Sequence, residues 1–153
     1  MKKVFIYPPN SLILTDLVER FGHKPLTLQT IVGGLVRNPE IDSPPMNITD
    51  EEPKKGLKYA AVEVPSGVRG RMALIGPLID AAEAAIIMDD TPIAFGCIGC
   101  ARTNELTLYL IKRKNIPTLR VRYPRNEEEA EIVVNKIAHF LKSLEENGGN
   151  SQN

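Results

Sequence analysis

The chain of 153 residues has no tryptophan, two histidines, two cysteines and no net charge. Aromatic residues make up only 5% of it, which argues against the stacked-ring platforms that bind single strands. Lys+Arg and Asp+Glu both number 19, so the basic excess of a general nucleic-acid binder is missing. Two cysteines exclude a disulfide-rich secreted scaffold. No apolar run approaches the roughly 20 residues of a membrane span. After Met1-Lys2-Lys3 the apolar run Val4-Phe5-Ile6-Tyr7 stops at Pro8-Pro9. That is short of the roughly 7–15 residues of a signal core. The expectation is a cytoplasmic protein with reduced thiols.

What is present reads as ordinary globular material, with 42% hydrophobic and 25% charged residues. The length suits one domain with its own core. Residues 2–7 (KKVFIY) predict a strand. Asn10 or Ser11 can cap a helix carrying Leu14, Leu17, Val18 and Phe21 on one face, with Gly22 at its left-handed end. Residues 24–37 mix both periodicities. Residues 38–57 hold prolines at 39, 44, 45 and 53 and predict a long surface loop.

YAAVEV (59–64) predicts a further strand, Ser66 to Arg71 a turn, and the residues up to Glu83 a helix containing Pro77. AAIIM (84–88) suits a buried parallel strand. Residues 91–100 predict a strand or a tight apolar loop, and Ala101 to Asn115 a helix. TLRVRY (118–123) alternates as a strand. Asn126 caps a last helix with Glu129 at capping-box spacing and a stripe of Val133, Ile137, Phe140, Leu141 and Leu144. The order predicts a single α/β domain over residues 1–147, with a disordered tail at 148–153. It is a mainly parallel sheet with helices on both faces, a Rossmann-like or flavodoxin-like three-layer sandwich.

Four places could carry chemistry. Cys97-Ile98-Gly99-Cys100 lets two thiolates reach one metal or close a small disulfide ring, just ahead of a helix start that favours thiolate. Two cysteines do not complete a tetrahedral site, and neither His23 nor His139 is an obvious third ligand. A cluster would have to be shared with a partner. The plain alternative is a pair of small residues packed in a glycine-rich bend. Ser66, Gly67, Arg69, Gly70 and Arg71 could cradle and grip an anion, or form a turn with solvated arginines. There is no Walker loop and no GxGxxG.

Asp89 and Asp90 follow a strand, where open α/β sheets face their ligands. Arg102 and Asn104 lie in a first helical turn, as caps or held for a ligand. Tyr7 to Asn10, Ser66 to Arg71, Asp89–Asp90 and Cys97 to Glu105 would then line one edge of the sheet. Seven basic residues between 102 and 125 face Glu105 alone, whereas 126–146 carries six acids against two lysines. The division suits either internal pairing or a polar docking face.

The segments GVRGRMALIGPLIDAAEAAIIMDD, PIAFGCIGCARTNEL and KKVFIYPPNSLILTDLVERFGH resemble the methanogenesis marker protein 5 family of methanogenic archaea. Together they span residues 2–23, 67–90 and 92–106, leaving out 38–57 and the tail. The resemblance implies an accessory role, assisting maturation or activation of methyl-coenzyme M reductase within a complex. It implies no established catalysis. Related marker proteins include some with iron–sulfur centres, so Cys97 and Cys100 could contact a cluster shared with a partner. The rival expectation is a small thiol-redox or nucleotide- or phosphate-dependent enzyme using the same crevice. A third is a scaffold without a ligand.

Overall fold

The computed structural model describes residues 1–37, 51–91 and 98–146. Among them the order is β1 (Lys3–Tyr7), α1 (Leu12–Arg20), β2 (Lys24–Leu26), α2 (Leu28–Val36), α3 (Glu51–Gly56), α4 (Ser66–Ala81), β3 (Ala84–Asp89), α5 (Ile98–Lys114), β4 (Thr118–Arg122) and α6 (Glu127–Glu146). The four strands form a parallel sheet in the order β2-β1-β3-β4. This is the α/β class with a Rossmann-like parallel sheet that the alternation of elements predicts. The chain falls into two compact units. One comprises Met1–Thr27, Ala82–Ile93 and Ile116–Asn153, the other Leu28–Ala81 and Ala94–Asn115.

The first unit holds the sheet with α1 and α6. Its central strands, β1 and β3, each pair on two sides. Val4, Phe5, Ile6, Ala84, Ala85 and Ile86 are all fully buried, so these strands read as unbroken apolar runs. The edge strand β4 buries only Val121. Val4, Ile6, Ala84, Ile86, Met88 and Val121 pack with Leu14 and Val18 of α1 and with Ile137, Leu141 and Leu144 of α6. The stripes predicted from 3.6-residue spacing are therefore the helix faces that make the core. Each such aliphatic side chain stabilises the fold by about 1.5–3 kcal/mol.

Ser11 caps α1, its Oγ accepting from the Leu14 N–H at 3.3 Å. The chain leaves α1 through Gly22 at φ 73°, the left-handed conformation expected there. That turn delivers His23 into the interior. Its Nδ1 accepts the Lys2 N–H at 3.1 Å, and its Nε2 lies 2.9 Å from the Leu141 carbonyl. An accepting Nδ1 leaves the proton on Nε2, which donates to that carbonyl. One imidazole thus joins the start of β1 to the last turns of α6. At the opposite end of α6, the Asn126 Oδ1 accepts the Glu129 N–H, and Glu129 reaches back to the Arg125 N–H, both at 2.9 Å.

The second unit comprises α2 to α5. Here two expectations are corrected. Residues 59–64 are turns, not a strand. The Tyr59 and Ala60 N–H groups both donate to the Gly56 carbonyl at 3.0 Å, and Val64 donates to Ala61, so the backbone is already spent locally. Tyr59 packs on α4: a methyl group added at Gly76 would fall 2.4 Å from its ring. Residues 51–56, assigned to the long loop, are helical as α3. Gly56 lets that helix meet α4 backbone to backbone, since an added Cβ would lie 1.9 Å from the Arg69 carbonyl oxygen. Residues 38–50 and the tail 148–153 lie outside the described residues, as does the segment 92–97.

Candidate functional site

The strand order sets where a ligand would sit. From β1 the chain steps to β2 on one side, then returns past β1 to β3 on the other. Open α/β sheets bind ligands outside the carboxyl ends of the strands flanking such a reversal. In the sheet unit those ends are Tyr7 to Asn10 after β1 and Asp89 to Thr91 after β3, with Tyr123 to Arg125 after neighbouring β4. Helices α1 and α6 both begin there, capped by Ser11 and Asn126. Asp90 has φ 56°, a left-handed backbone that aspartate tolerates better than most residues.

The charges at this edge are partly committed. The Arg120 guanidinium grips the Asp89 carboxylate with two bonds, of 2.5 and 2.9 Å. Asp89 in turn holds the Arg120 guanidinium more firmly protonated than usual. Burial, and then the charge of Asp89, push the Tyr7 hydroxyl pKa upward. Arg122 reaches Asp90 only at 3.8 Å, with 88% of its side chain exposed. The predicted acidic pair therefore lies at the carboxyl edge of the sheet, where Asp89 serves as an anchor for Arg120 and Asp90 is the more open of the two.

Beside these charges lies an apolar groove of about 450 Å³. Pro8 and Met88 come from the β1 and β3 sides, Ile13 and Leu17 from α1, Tyr123 and Pro124 from the β4 side, and Val133, Val134 and Ile137 from α6. Asn10, Ser11 and Thr91 supply its polar points. Ile13, Tyr123 and Val134 are 66%, 39% and 42% exposed, so this edge shows hydrocarbon that folding leaves uncovered.

The remaining predicted site residues belong to the helical unit. Ser66, Gly67, Arg69, Gly70 and Arg71 are not a turn ahead of a helix but the opening of α4 itself. The Pro65 carbonyl accepts Val68 N–H and Arg69 N–H at 2.9 and 3.2 Å, so the helical ladder starts there. Val68 and Gly70 are buried in packing. The Arg69 Nε is buried without a hydrogen-bond partner. Arg102 forms an exposed ion pair with Glu105 at 3.2 Å, one turn along α5, and Asn104 is half-buried on the same helix. That helix begins at Ile98 instead of Ala101, so Cys100 is in its first turn. Cys97 lies outside the described residues, and the geometry of the cysteine pair with it.

Sequence reasoning missed the groove wall. Its signal was present as apolar residues off the buried stripes: Ile13 beside Leu14 and Leu17, and Val134 beside Val133 and Ile137. It also missed Thr107, buried on α5, where its hydroxyl donates to the Thr103 carbonyl at 2.8 Å and lies 3.9 Å from the Met72 sulfur.

Residues 2–144 match the model of an archaeal family described as "Uncharacterized protein conserved in archaea (DUF2112)", and the chain belongs to that family. It is 87% identical over 150 residues to "Uncharacterized protein MJ0404" of Methanocaldococcus jannaschii, an alignment spanning 98% of this chain and all of that protein. No solved structure matches it. No helix among the described residues is long and apolar enough to cross a membrane.

Proposed function

We propose, from membership in this archaeal family and the resemblance to methanogenesis marker protein 5, that the chain is a cytoplasmic accessory protein of methanogenesis. It assists maturation or activation of methyl-coenzyme M reductase within a complex. Cys97 and Cys100 contact a metal cluster that a partner completes. The observation that supports partnership is on α5. Tyr109 is 53% exposed, and the Arg113 guanidinium sits 5.8 Å from its ring centre. Lys112 is exposed beside it. Exposed Tyr with Arg is the composition from which interface hot spots are built, and the added positive charge steers an acidic partner.

The test is an anaerobic pull-down of tagged chain from an archaeal host, with metal analysis of what is retained. Methyl-coenzyme M reductase or its activating proteins should be enriched. Tyr109→Ala with Arg113→Glu should reduce that enrichment at least tenfold, and raised salt should reduce it too. The rival reading, a small thiol-redox or phosphate-dependent enzyme, draws on the position of the groove at the strand reversal. Turnover of a small substrate by the purified chain, with no such partner recovered, would put that reading first.

A further inference from the structure

The groove at the carboxyl edge of the sheet has a volume of about 450 Å³. That is within the roughly 300–1,000 Å³ of clefts that enclose small molecules. Its long walls are hydrocarbon, from Ile13, Leu17, Met88, Val133, Val134 and Ile137. A nucleotide or a sugar would leave many polar groups against those walls without partners, which is costly. An apolar body is what the walls match.

The mouth on the β4 side has a different character. A second hollow of about 450 Å³ shares Tyr123, Pro124 and Val133 with the groove and is lined by Arg120, Arg122, Arg125 and Lys136 against Asp90 and Glu129. Arg120 is taken up by Asp89. Glu129 spends one carboxylate oxygen on the Arg125 backbone N–H. Arg122 shares the face of β4 that carries Arg120, opposite Val121, and reaches toward Asp90 at 3.8 Å, so Arg125 and Lys136 remain as the cations for an incoming group. The first turn of α6 already carries Glu127, Glu128 and Glu129, so its N-terminus is served by the chain's own carboxylates. An incoming negative group is therefore directed to Arg125 and Lys136 and not to that helix end.

We propose that this groove binds a small amphiphilic anion: a single apolar chain lying along α1 and α6, with a carboxylate or phosphate head held by Arg125 and Lys136. This is independent of the partnership proposed above, which rests on α5. The ligand is a soluble molecule bound one to one, not a membrane surface.

Calorimetric titration of the full chain with decanoate, decyl phosphate, decanol and decyltrimethylammonium, each below its aggregation limit, tests it. Decanoate and decyl phosphate should bind with a stoichiometry of one. Decanol should bind several-fold more weakly, decyltrimethylammonium at least tenfold more weakly, and inorganic phosphate alone not at all. Val134→Asp should weaken decanoate at least tenfold. Ile13→Asn is a second variant on the other wall, and both positions are exposed enough to spare the fold, which circular dichroism would check. Arg125→Gln with Lys136→Gln should cost the two anions about three- to tenfold and leave decanol unchanged. Equal binding of anion, alcohol and cation would overturn the head-group assignment. Unchanged binding in both wall variants, or no binding of any chain up to about 1 mM, which is only about 4 kcal/mol of affinity, would overturn the site. Binding only to vesicles of anionic lipid would replace the soluble ligand with a surface.

Discussion

Gly22 of the sheet unit and Gly56 of the helical unit are both required by sterics, but at different levels of structure. Gly22 serves its own backbone: at φ 73° it ends α1 in a conformation that side chains resist. Gly56 serves a neighbour, because an added Cβ would strike the Arg69 carbonyl oxygen of α4 at 1.9 Å. The rest of each unit follows suit. The sheet unit is built on aliphatic side chains, with Val4, Ile6, Leu14, Val18, Ile86, Ile137 and Leu141 all fully buried. The helical unit adds close approaches and polar ties to its own apolar side chains, among them Val68, Met72 and Ile111. Gly76 admits the Tyr59 ring, while the Tyr59 hydroxyl and Lys58 Nζ hold Asp80 at 2.8 and 2.6 Å. Lys114 caps the end of α4, donating to the Ile79 carbonyl at 2.7 Å and to the Asp80 carbonyl. A hydrocarbon core declares itself in sequence periodicity, whereas a backbone contact between glycine and a distant carbonyl does not.

The largest effects come from attacking each unit by its own principle. Ile137→Ala removes a fully buried side chain from the sheet unit and should cost about 2–5 kcal/mol. Gly56→Ala forces α3 and α4 apart and should cost about 1–3 kcal/mol or more, although alanine is the better helix former. Amide hydrogen exchange tells where the loss falls. Ile137→Ala should lower protection in β1 and β3. Gly56→Ala should lower it first in α3 and α4. If both variants loosened sheet and helices equally, the two units would be one cooperative body and the comparison would fail.

The same contrast decides what could be read before the structure. In the sheet unit, Val4 to Tyr7, Ala84 to Met88, the Leu14–Val18 pair and the Ile137–Leu144 stripe were legible because burial follows period. The Ser11 and Asn126 caps were legible because capping chemistry is local. The placement of Asp89 and Asp90 at the carboxyl edge of the sheet followed from strand ends alone. In the helical unit, YAAVEV has strand composition, but Tyr59 and Ala60 are claimed by the Gly56 carbonyl. The glycines of Ser66 to Arg71 suggested a turn, but that segment opens α4. Ile13 and Val134 stood out only as apolar residues off the buried stripes, and the groove they form needed α1 and α6 to be side by side.

A smaller effect tests a buried polar pin in the sheet unit. His23→Ala would leave the Lys2 N–H and the Leu141 carbonyl without their buried partner. An unsatisfied group of this kind costs about 1–3 kcal/mol. In a chain of this length each kcal/mol lowers the melting temperature by about 2–4 °C. His23→Gln can still accept and donate, and should recover part of the loss. Equal loss in both variants would mean that the ring's shape matters and its hydrogen bonds do not.

The smallest effect is with acid, and it touches both units through carboxylates that are half exposed. In the helical unit, hydrogen bonds from Lys58 and Tyr59 hold the Asp80 carboxyl below its ordinary pKa. In the sheet unit, the Lys3 backbone N–H, at 2.9 Å from Glu83, does the same, with Lys2 adding its charge. A carboxyl whose folded pKa is depressed stabilises the fold fully above its unfolded value, and the contribution fades as pH falls through the folded one. The loss should therefore begin below about pH 4 and be absent between pH 6 and 8. Both groups are open to solvent, so for Glu83 the worth is within the roughly 0.2–1 kcal/mol of an exposed pair. Asp80→Asn should flatten the acid decline of α4 protection, and Glu83→Gln that of β1. A stability profile unchanged by either substitution down to pH 3 would show that these contacts are geometry without energy. A decline in both units from either single substitution would again argue that sheet and helices unfold together.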